Sequence, residues 1–464
     1  MISASSEPAA SSSLPFNAAM ERLRKLCPSA VGGTPVTDVE TSLHRGDHVR
    51  AMAIACLASL ASGTALGHAS VTMPSIEREY WYSLERSPPQ NRWVADILLV
   101  GAAAGALLSG LLLRLVGHRR TLMLSAVGQF GAWISLFVSN HVAMLLVGRA
   151  LCGFWLGVTT NCASLYVSDV APPAKRSLFG GLTEQVAMNM GALSAYSLSG
   201  FKWEIQAILC AMAPLPVLAM HHHVIESPLW LRARGRGHDA DTAVTQLYGM
   251  DPPPEFRMVS LCLMVNLVQN LSFIQLLLLR AVQIMEPLVS TLSAHEAAVL
   301  MVLLHVSWAA LFATLTHVAG RRRLLGASAV LVAAVLVTLR PLEHLVFRQW
   351  TTEEVPTATR WDAVISVSLL ALGHSVGLCH LPSLLTSELL PLNRWRFLGA
   401  SCVWSFRWLV AFALVHGDHQ VLRIDEYQGS TVAYSLTLVL ITGAAVVYMP
   451  ETDGRSLEDI DRYQ

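Results

Sequence analysis

Long apolar runs alternate with short polar breaks from about residue 50 onward. A helix that crosses a bilayer needs about 20 mostly apolar residues. Twelve segments meet or approach that length: 51–73, 93–114, 121–139, 141–165, 179–199, 204–224, 259–282, 296–317, 324–342, 363–387, 399–416 and 430–448. Some are weak alone, since the seventh contains Arg280 and the ninth ends at Arg340. Lipid offers no partner to an open backbone amide or carbonyl, so runs of this kind predict helices packed as a membrane bundle.

A short element recurs between these runs. "VGHRRTLML" (Val116 to Leu124) sits between spans two and three, and "VAGRRRLLG" (Val318 to Gly326) between spans eight and nine. Those are the same places in two successive sets of six. A repeat of this kind predicts two parallel bundles with a solute site near the bilayer midplane between them. The expected fold class is therefore all-α, with twelve transmembrane helices in two six-helix bundles. The expected organisation is a tail over 1–50, a first bundle over 51–224, a linker over 225–258, a second bundle over 259–448 and a tail over 449–464.

Composition agrees with this picture. Of the 464 residues, 53% are hydrophobic and 14% charged, too few charges to cover a surface in water. Lysine plus arginine equals aspartate plus glutamate, so no global field favours nucleic acid, and the expected partners are the bilayer and a small solute. Oligomeric state is left open. Basic residues matter by position. Arg114, Arg119, Arg120, Lys175, Arg176, Arg232, Arg234, Arg236, Arg257, Arg321, Arg322, Arg323, Arg394 and Arg396 all follow even-numbered spans. The positive-inside rule then puts both termini in the cytosol. The Ser-, Ala- and Pro-rich first 50 residues lack the early apolar run of a signal peptide and read as a disordered tail. The eight cysteines form no CxxC pair, and Cys152, Cys162, Cys210, Cys379 and Cys402 lie within spans as small hydrophobes. The histidine run His221–His223 reads as interfacial, because adjacent helical side chains point in different directions. No cofactor, metal or enzymatic constellation is expected.

Several motifs sit in order at the ends of these spans. They are "GRALCGFWLGV" (Gly148 to Val158), "YVSDVAPPAKR" (Tyr166 to Arg176), "ESPLWLRARGR" (Glu226 to Arg236), "LLTSELLP" (Leu384 to Pro391) and "MPETDGRSLEDID" (Met449 to Asp461). Together they resemble the major facilitator superfamily and, within it, the sugar porter family, over nearly the whole chain from about residue 50. The resemblance implies a plasma-membrane transporter working by alternating access, whose cytosolic helix ends pair through charges. It assigns Arg149, Asp169, Arg176, Glu226, Arg322 and Glu388 to that gate. The chain also departs from the family. Arg114 and His317 stand where the family usually has aspartate, and His118 where it has arginine. Arginine accepts no hydrogen bond, so the gate is expected to be looser, rewired or dependent on His317.

A sugar site needs amides, which both donate and accept, and an aromatic face. By resemblance, Gln185 in span five and Gln269, Asn270 and Gln275 in span seven take that role, with Trp408 as the aromatic platform. Phe273 replaces a family glycine, and "GLCHLPS" (Gly377 to Ser383) keeps only Pro382 of a proline-rich hinge. His305, Arg280 and Arg407 give the second half a basic tone, and His305 is added to the candidate substrate residues. The expected solute is a hexose or trehalose. An organic-ion carrier of the same superfamily and a non-transporting paralogue remain as alternatives.

Overall fold

The computed structural model describes residues 45–80, 88–220, 222, 226–227, 256–286, 293–338, 357–392, 395–421, 430–450, 452, 454, 455, 457 and 460. The expectations for the tail up to residue 44, for Arg232, Arg234 and Arg236, and for the side chain of His317 fall outside the described residues.

Among the described residues every regular element is helical, and a helix stands at each of the twelve apolar segments. Span one is α1 (Arg45–Tyr80). Spans two and three are the two parts of α2 (Pro88–Phe137), which breaks at Gly117. Span four is α3 (Val142–Val170). Span five is α4 (Arg176–Gly181), a π-helical turn (Leu182–Val186) and α5 (Ala187–Tyr196). Span six is α6 (Trp203–Ala211) and α7 (Leu215–Ala219). In the second half, span seven is α8 (Phe256–Leu271) and α9 (Ile274–Met285), and span eight is α10 (Ala294–Ala319). Span nine is α11 (Arg321–Thr338). Span ten is α12 (Thr357–Val376) and α13 (Leu381–Leu389), span eleven α14 (Arg396–Val421) and span twelve α15 (Ser430–Tyr448). Seven of these helical stretches are long and apolar enough to cross a membrane, and 203–219 and 434–448 are shorter apolar helices.

Lipid tails are as apolar as leucine, so helices in a membrane associate by close packing and polar contacts. The chain meets this with small residues four apart. A Cβ on Gly101 or Gly105 of α2 would meet the carbonyls of Ala150 and Phe154 at 2.1 and 1.8 Å. A Cβ on Gly153 or Gly157 of α3 would meet those of Leu98 and Ala102 at 1.9 and 2.0 Å. The two helices thus present reciprocal glycine pairs and touch backbone to backbone. Large apolar side chains such as Leu107, Val147 and Leu440 point outward, as a lipid-facing surface requires.

Spans seven and ten break where backbone geometry forces it. Phe273 adopts φ 57 between α8 and α9, costly for a residue with a Cβ. Residues 377–380 form a turn between α12 and α13, and Pro382 then opens α13. Proline lacks an amide hydrogen, which suits the first turn of a helix and not its interior.

Candidate functional site

The two halves meet through ionisable side chains at three levels, and α14 carries a basic residue at each. Arg396 stands at the start of α14, Arg407 lies about 16 Å along it, and His416 about 14 Å further.

At the first level, Arg396 Nη2 pairs with Asp169 of α3 at 2.7 Å. The same nitrogen donates to Ser168 Oγ at 3.1 Å and to the Ser387 carbonyl at 3.2 Å. Arg176 Nη1 lies 3.8 Å from Glu388 of α13 and donates to the Arg455 carbonyl at 3.1 Å. The pairing is crossed, because each half's arginine meets the other half's acid. Arg321, which opens α11, donates to Glu388 and Thr452, and its other nitrogen donates to Ser177 across the halves at 2.7 Å. Thr452 and Arg455 of the C-terminal segment thus join this layer.

His118 occupies in the first half the place that Arg321 takes in the second. It is fully buried, with ring nitrogens 3.7 Å from Asp169 and 3.8 Å from Glu226. Ser227 Oγ donates to Asp169 at 2.6 Å. Glu226 replaces the acid that the loop lacks. Its carboxylate accepts from the backbone amides of His118 at 2.7 Å and Arg119 at 3.2 Å, the first amides of the helical segment after the Gly117 break. An anion is stabilised at such a helix start. Gly117 is required here for two reasons: it adopts φ 86, and a Cβ on it would lie 2.8 Å from the Glu226 carboxylate. The charge layer is therefore wired differently in the first half. Arg114, in the family's acid position, is exposed.

Two residues expected in the gate lie outside this charge layer. Arg322 is exposed, whereas its neighbour Arg321 is fully buried in the network. A helix turns by about 100° per residue, so one step in register takes the side chain from the interface to the surface. Arg149 stands about 30 Å along α3 from Asp169, toward the opposite end. It is fully buried and donates to Thr72 of α1 at 2.8 Å. It takes no part in the Asp169–Glu388 layer.

At the middle level, Arg407 Nη1 pairs with Glu184 of the π-helical turn at 2.8 Å. Ser383 Oγ donates to Glu184 and accepts from Arg407 at 3.0 Å. The guanidinium lies 4.6 Å from the Trp404 ring centre and 5.6 Å from that of Trp408. A π-helical turn is unusual and often marks a functional site. Glu184 also lines a cavity toward the first level, with Ser59, Thr160, Thr183, Leu384 and Ser387.

The predicted substrate residues are buried, and several carry polar atoms with no protein partner: Gln185 Nε2, Gln269 Oε1, Gln275 Oε1 and Trp408 Nε1. Asn189 and two nitrogens of Arg407 have the same property. Gln269 donates to the Cys379 carbonyl at 3.0 Å, and Asn270 to the Arg407 carbonyl at 3.1 Å, which ties span seven to the breaks of span ten and to α14. His305 is held elsewhere, with Nδ1 at 3.0 Å from Ser375 Oγ and 3.3 Å from the Ala371 carbonyl. Sequence reasoning missed Glu184 as the partner of Arg407. It also missed Arg396, whose spacing from Glu388 nearly repeats that of Arg176 from Asp169.

At the third level, Asp96 of α2 is fully buried and accepts from Arg280 of α9 at 3.1 Å and from His416 at 2.9 Å. Trp93 lies against His416, ring centres 4.6 Å apart. Nearby, the amide of Val282 donates to Ser70 of α1 at 3.0 Å.

Two helical bundles enclosing a polar centre, bridged at both ends, are the architecture of a major facilitator carrier. The solved structures agree. The proton:xylose symporter XylE bound to 6-bromo-6-deoxy-D-glucose matches with TM-score 0.76 at 18% identity, over 91% of this chain and 100% of that one. The inward-open XylE of E. coli matches with TM-score 0.63 at 19% identity, over 89% of this chain and 98% of that one.

The family profile described as "Sugar (and other) transporter" matches residues 51–255 and 249–463, and the chain belongs to that family of multi-pass membrane proteins. Its curated relatives include the human facilitated glucose transporter member 6, 29% identical over 88% of this chain and 89% of that protein. The facilitated trehalose transporter Tret1 of Aedes aegypti is 26% identical over 88% of this chain. The chain spans about half of that mosquito protein's length, at 54%.

Proposed function

We propose that the protein carries a small neutral sugar, of hexose or trehalose class, across a membrane by alternating access. Residues 51–224 and 259–448 act as the two moving bodies. The observation that carries this reading is the set of buried amides in spans five and seven with unfilled hydrogen-bond capacity, together with the Glu184–Arg407 pair that joins spans five and eleven. Buried polar groups are normally satisfied, and a hydroxyl-rich solute both donates and accepts. The relatives named for glucose and trehalose transport support the same class. Glu184 neutralises Arg407, and Asp96 does so for Arg280, which favours a neutral solute over an organic ion. Gln185, Gln269, Asn270, Gln275 and Trp408 are the proposed contacts, and Trp404 shares the aromatic role. Asp169, Arg176, Glu226, Arg321, Glu388 and Arg396 form the gate on the cytosolic side, with both termini on that side and the protein in the plasma membrane.

The test is uptake of labelled glucose, trehalose, an organic cation and an organic anion in cells lacking their own sugar carriers, with surface protein quantified. Saturable sugar uptake is expected, abolished by Gln185→Ala and by Gln269→Ala at normal surface levels. Uptake of an ion alone, or sugar uptake unchanged in both variants, overturns the reading.

A further inference from the structure

A second cluster lies inside the C-terminal bundle, close enough to the middle charge level for Glu184 and Arg407 to act on Cys379. His305 of α10, His374 of α12 and Cys379 in the turn before α13 are all buried. One ligand atom from each lies within 4.8 Å of the others. The rings of the two histidines stand 5.7 Å apart.

The surroundings of the rings are those of a ligand set. His305 Nδ1 lies 3.0 Å from Ser375 Oγ and 3.3 Å from the Ala371 carbonyl, and His374 Nδ1 lies 2.8 Å from Ser272 Oγ. Metal-binding histidines characteristically engage their second ring nitrogen in this way, which fixes the ring and its tautomer. His305 Nε2 is buried with no protein partner. Burying such a group unpaired is costly. Two imidazoles and one thiolate are the donors that suit a borderline-soft ion such as zinc and leave its fourth position open. Carboxylate-bound hard cations would find no charged oxygen among these three groups.

We propose that His305, His374 and Cys379 form a transition-metal site, with zinc the ion its donors fit. Binding releases the Cys379 thiol proton to solvent, and the sulfur bonds the metal as thiolate. Tetrahedral bonds of about 2.0–2.3 Å place ligand atoms roughly 3.3–3.6 Å apart. The three ligand atoms lie within 4.8 Å of one another, so small side-chain shifts suffice to complete that geometry. Ser272 sits at the break of span seven, directly before Phe273, and Cys379 sits in the break of span ten. An ion here therefore ties α10 to the break of span ten and, through the His374–Ser272 bond, to that of span seven.

The experiment is titration of the purified full-length protein with cobalt(II), followed by competition with zinc. The expected result is one cobalt per chain, with the ultraviolet charge-transfer band of a cobalt–thiolate bond, displaced by zinc. The band vanishes in Cys379→Ser and survives in Cys402→Ser, which alters an exposed cysteine outside the cluster. Ser375→Ala keeps all three ligands and weakens cobalt binding about 10- to 100-fold. The Cys402→Ser control and the Ser375→Ala shift separate ligand loss from misfolding. A wild-type protein without the band, or a band of unchanged strength in Cys379→Ser, overturns the proposal. Neither readout depends on transport, so a failure here is distinct from a failure of the carrier reading.

Discussion

The two halves meet their shared charge layer with the same element and different chemistry. In the second half, Gly320 is followed by Arg321, whose guanidinium reaches Glu388, Thr452 and Ser177. In the first half, Gly117 is followed by His118, whose ring nitrogens come no nearer than 3.7 Å to a carboxylate. Glu226 and Ser227 supply what the shorter side chain does not: one caps the helix start and the other holds Asp169. A repeat can thus keep a layer's pairing while one copy relies on a guanidinium and the other on a segment outside the repeat. In the second half, Arg321 holds Glu388 and Thr452 on its own side and crosses the cleft through Ser177. The bonds of Glu226 and Ser227 reach back to the first half, and Arg396 bridges Asp169 to the second.

Breaking the comparison at Arg321 is expected to have the largest effect. Among the described residues, Arg321→Ala leaves the fully buried Glu388 with the longer Arg176 contact alone. Loss of one partner of a buried ion pair costs about 3–5 kcal/mol. The melting temperature of the purified protein should fall clearly. Arg322→Ala, one residue away and exposed, should leave it unchanged. Equal effects of the two would contradict the register described here.

Arg396→Ala comes next. Asp169 keeps the Ser227 hydroxyl, so the loss should fall at the low end of that range, about 3 kcal/mol by thermal or denaturant melting. Pairing Arg396→Ala with Asp169→Asn should recover part of the loss, since neither charge is then stranded. Purely additive losses would argue against a direct pair.

Glu226→Gln sharpens the contrast with the smallest change. An amide oxygen still accepts from the His118 and Arg119 amides, so only the charge term at the helix start is lost. About 0.3–1 kcal/mol is expected. Glu226→Ala should cost more, in the range of a lost cap, about 1 kcal/mol or somewhat above. Identical results for the two would remove the capping role.

Much of this was legible in the chain. Twelve apolar runs read as helices because lipid leaves the backbone no other solution, and the Gly117 and Gly320 breaks read from the repeated element. The placement of single side chains was less legible, for local reasons. The resemblance assigns Arg322, whereas the parallel with His118 after Gly117 points to Arg321, directly after Gly320. Arg149 belongs to a recurrent motif, yet it opens a helix whose far end carries Asp169, so membership of a motif did not imply membership of the layer. Arg407 read as a cation near the centre, but Glu184 could be named its partner only once spans five, ten and eleven were brought together.

The central claim is that the Asp169–Glu388 layer and the Asp96 pair close two separate ends of one cleft. A thiol placed at Ser59, which lines the cavity beside the first layer, tests it most directly. In oriented membranes, labelling of Ser59→Cys by an impermeant reagent would be followed from each face, and read by peptide mass to exclude native cysteines. The account predicts protection from the Asp169 face, and fast labelling from that face alone once Asp169→Asn is added. Labelling that rises equally from both faces, or from neither, would contradict it.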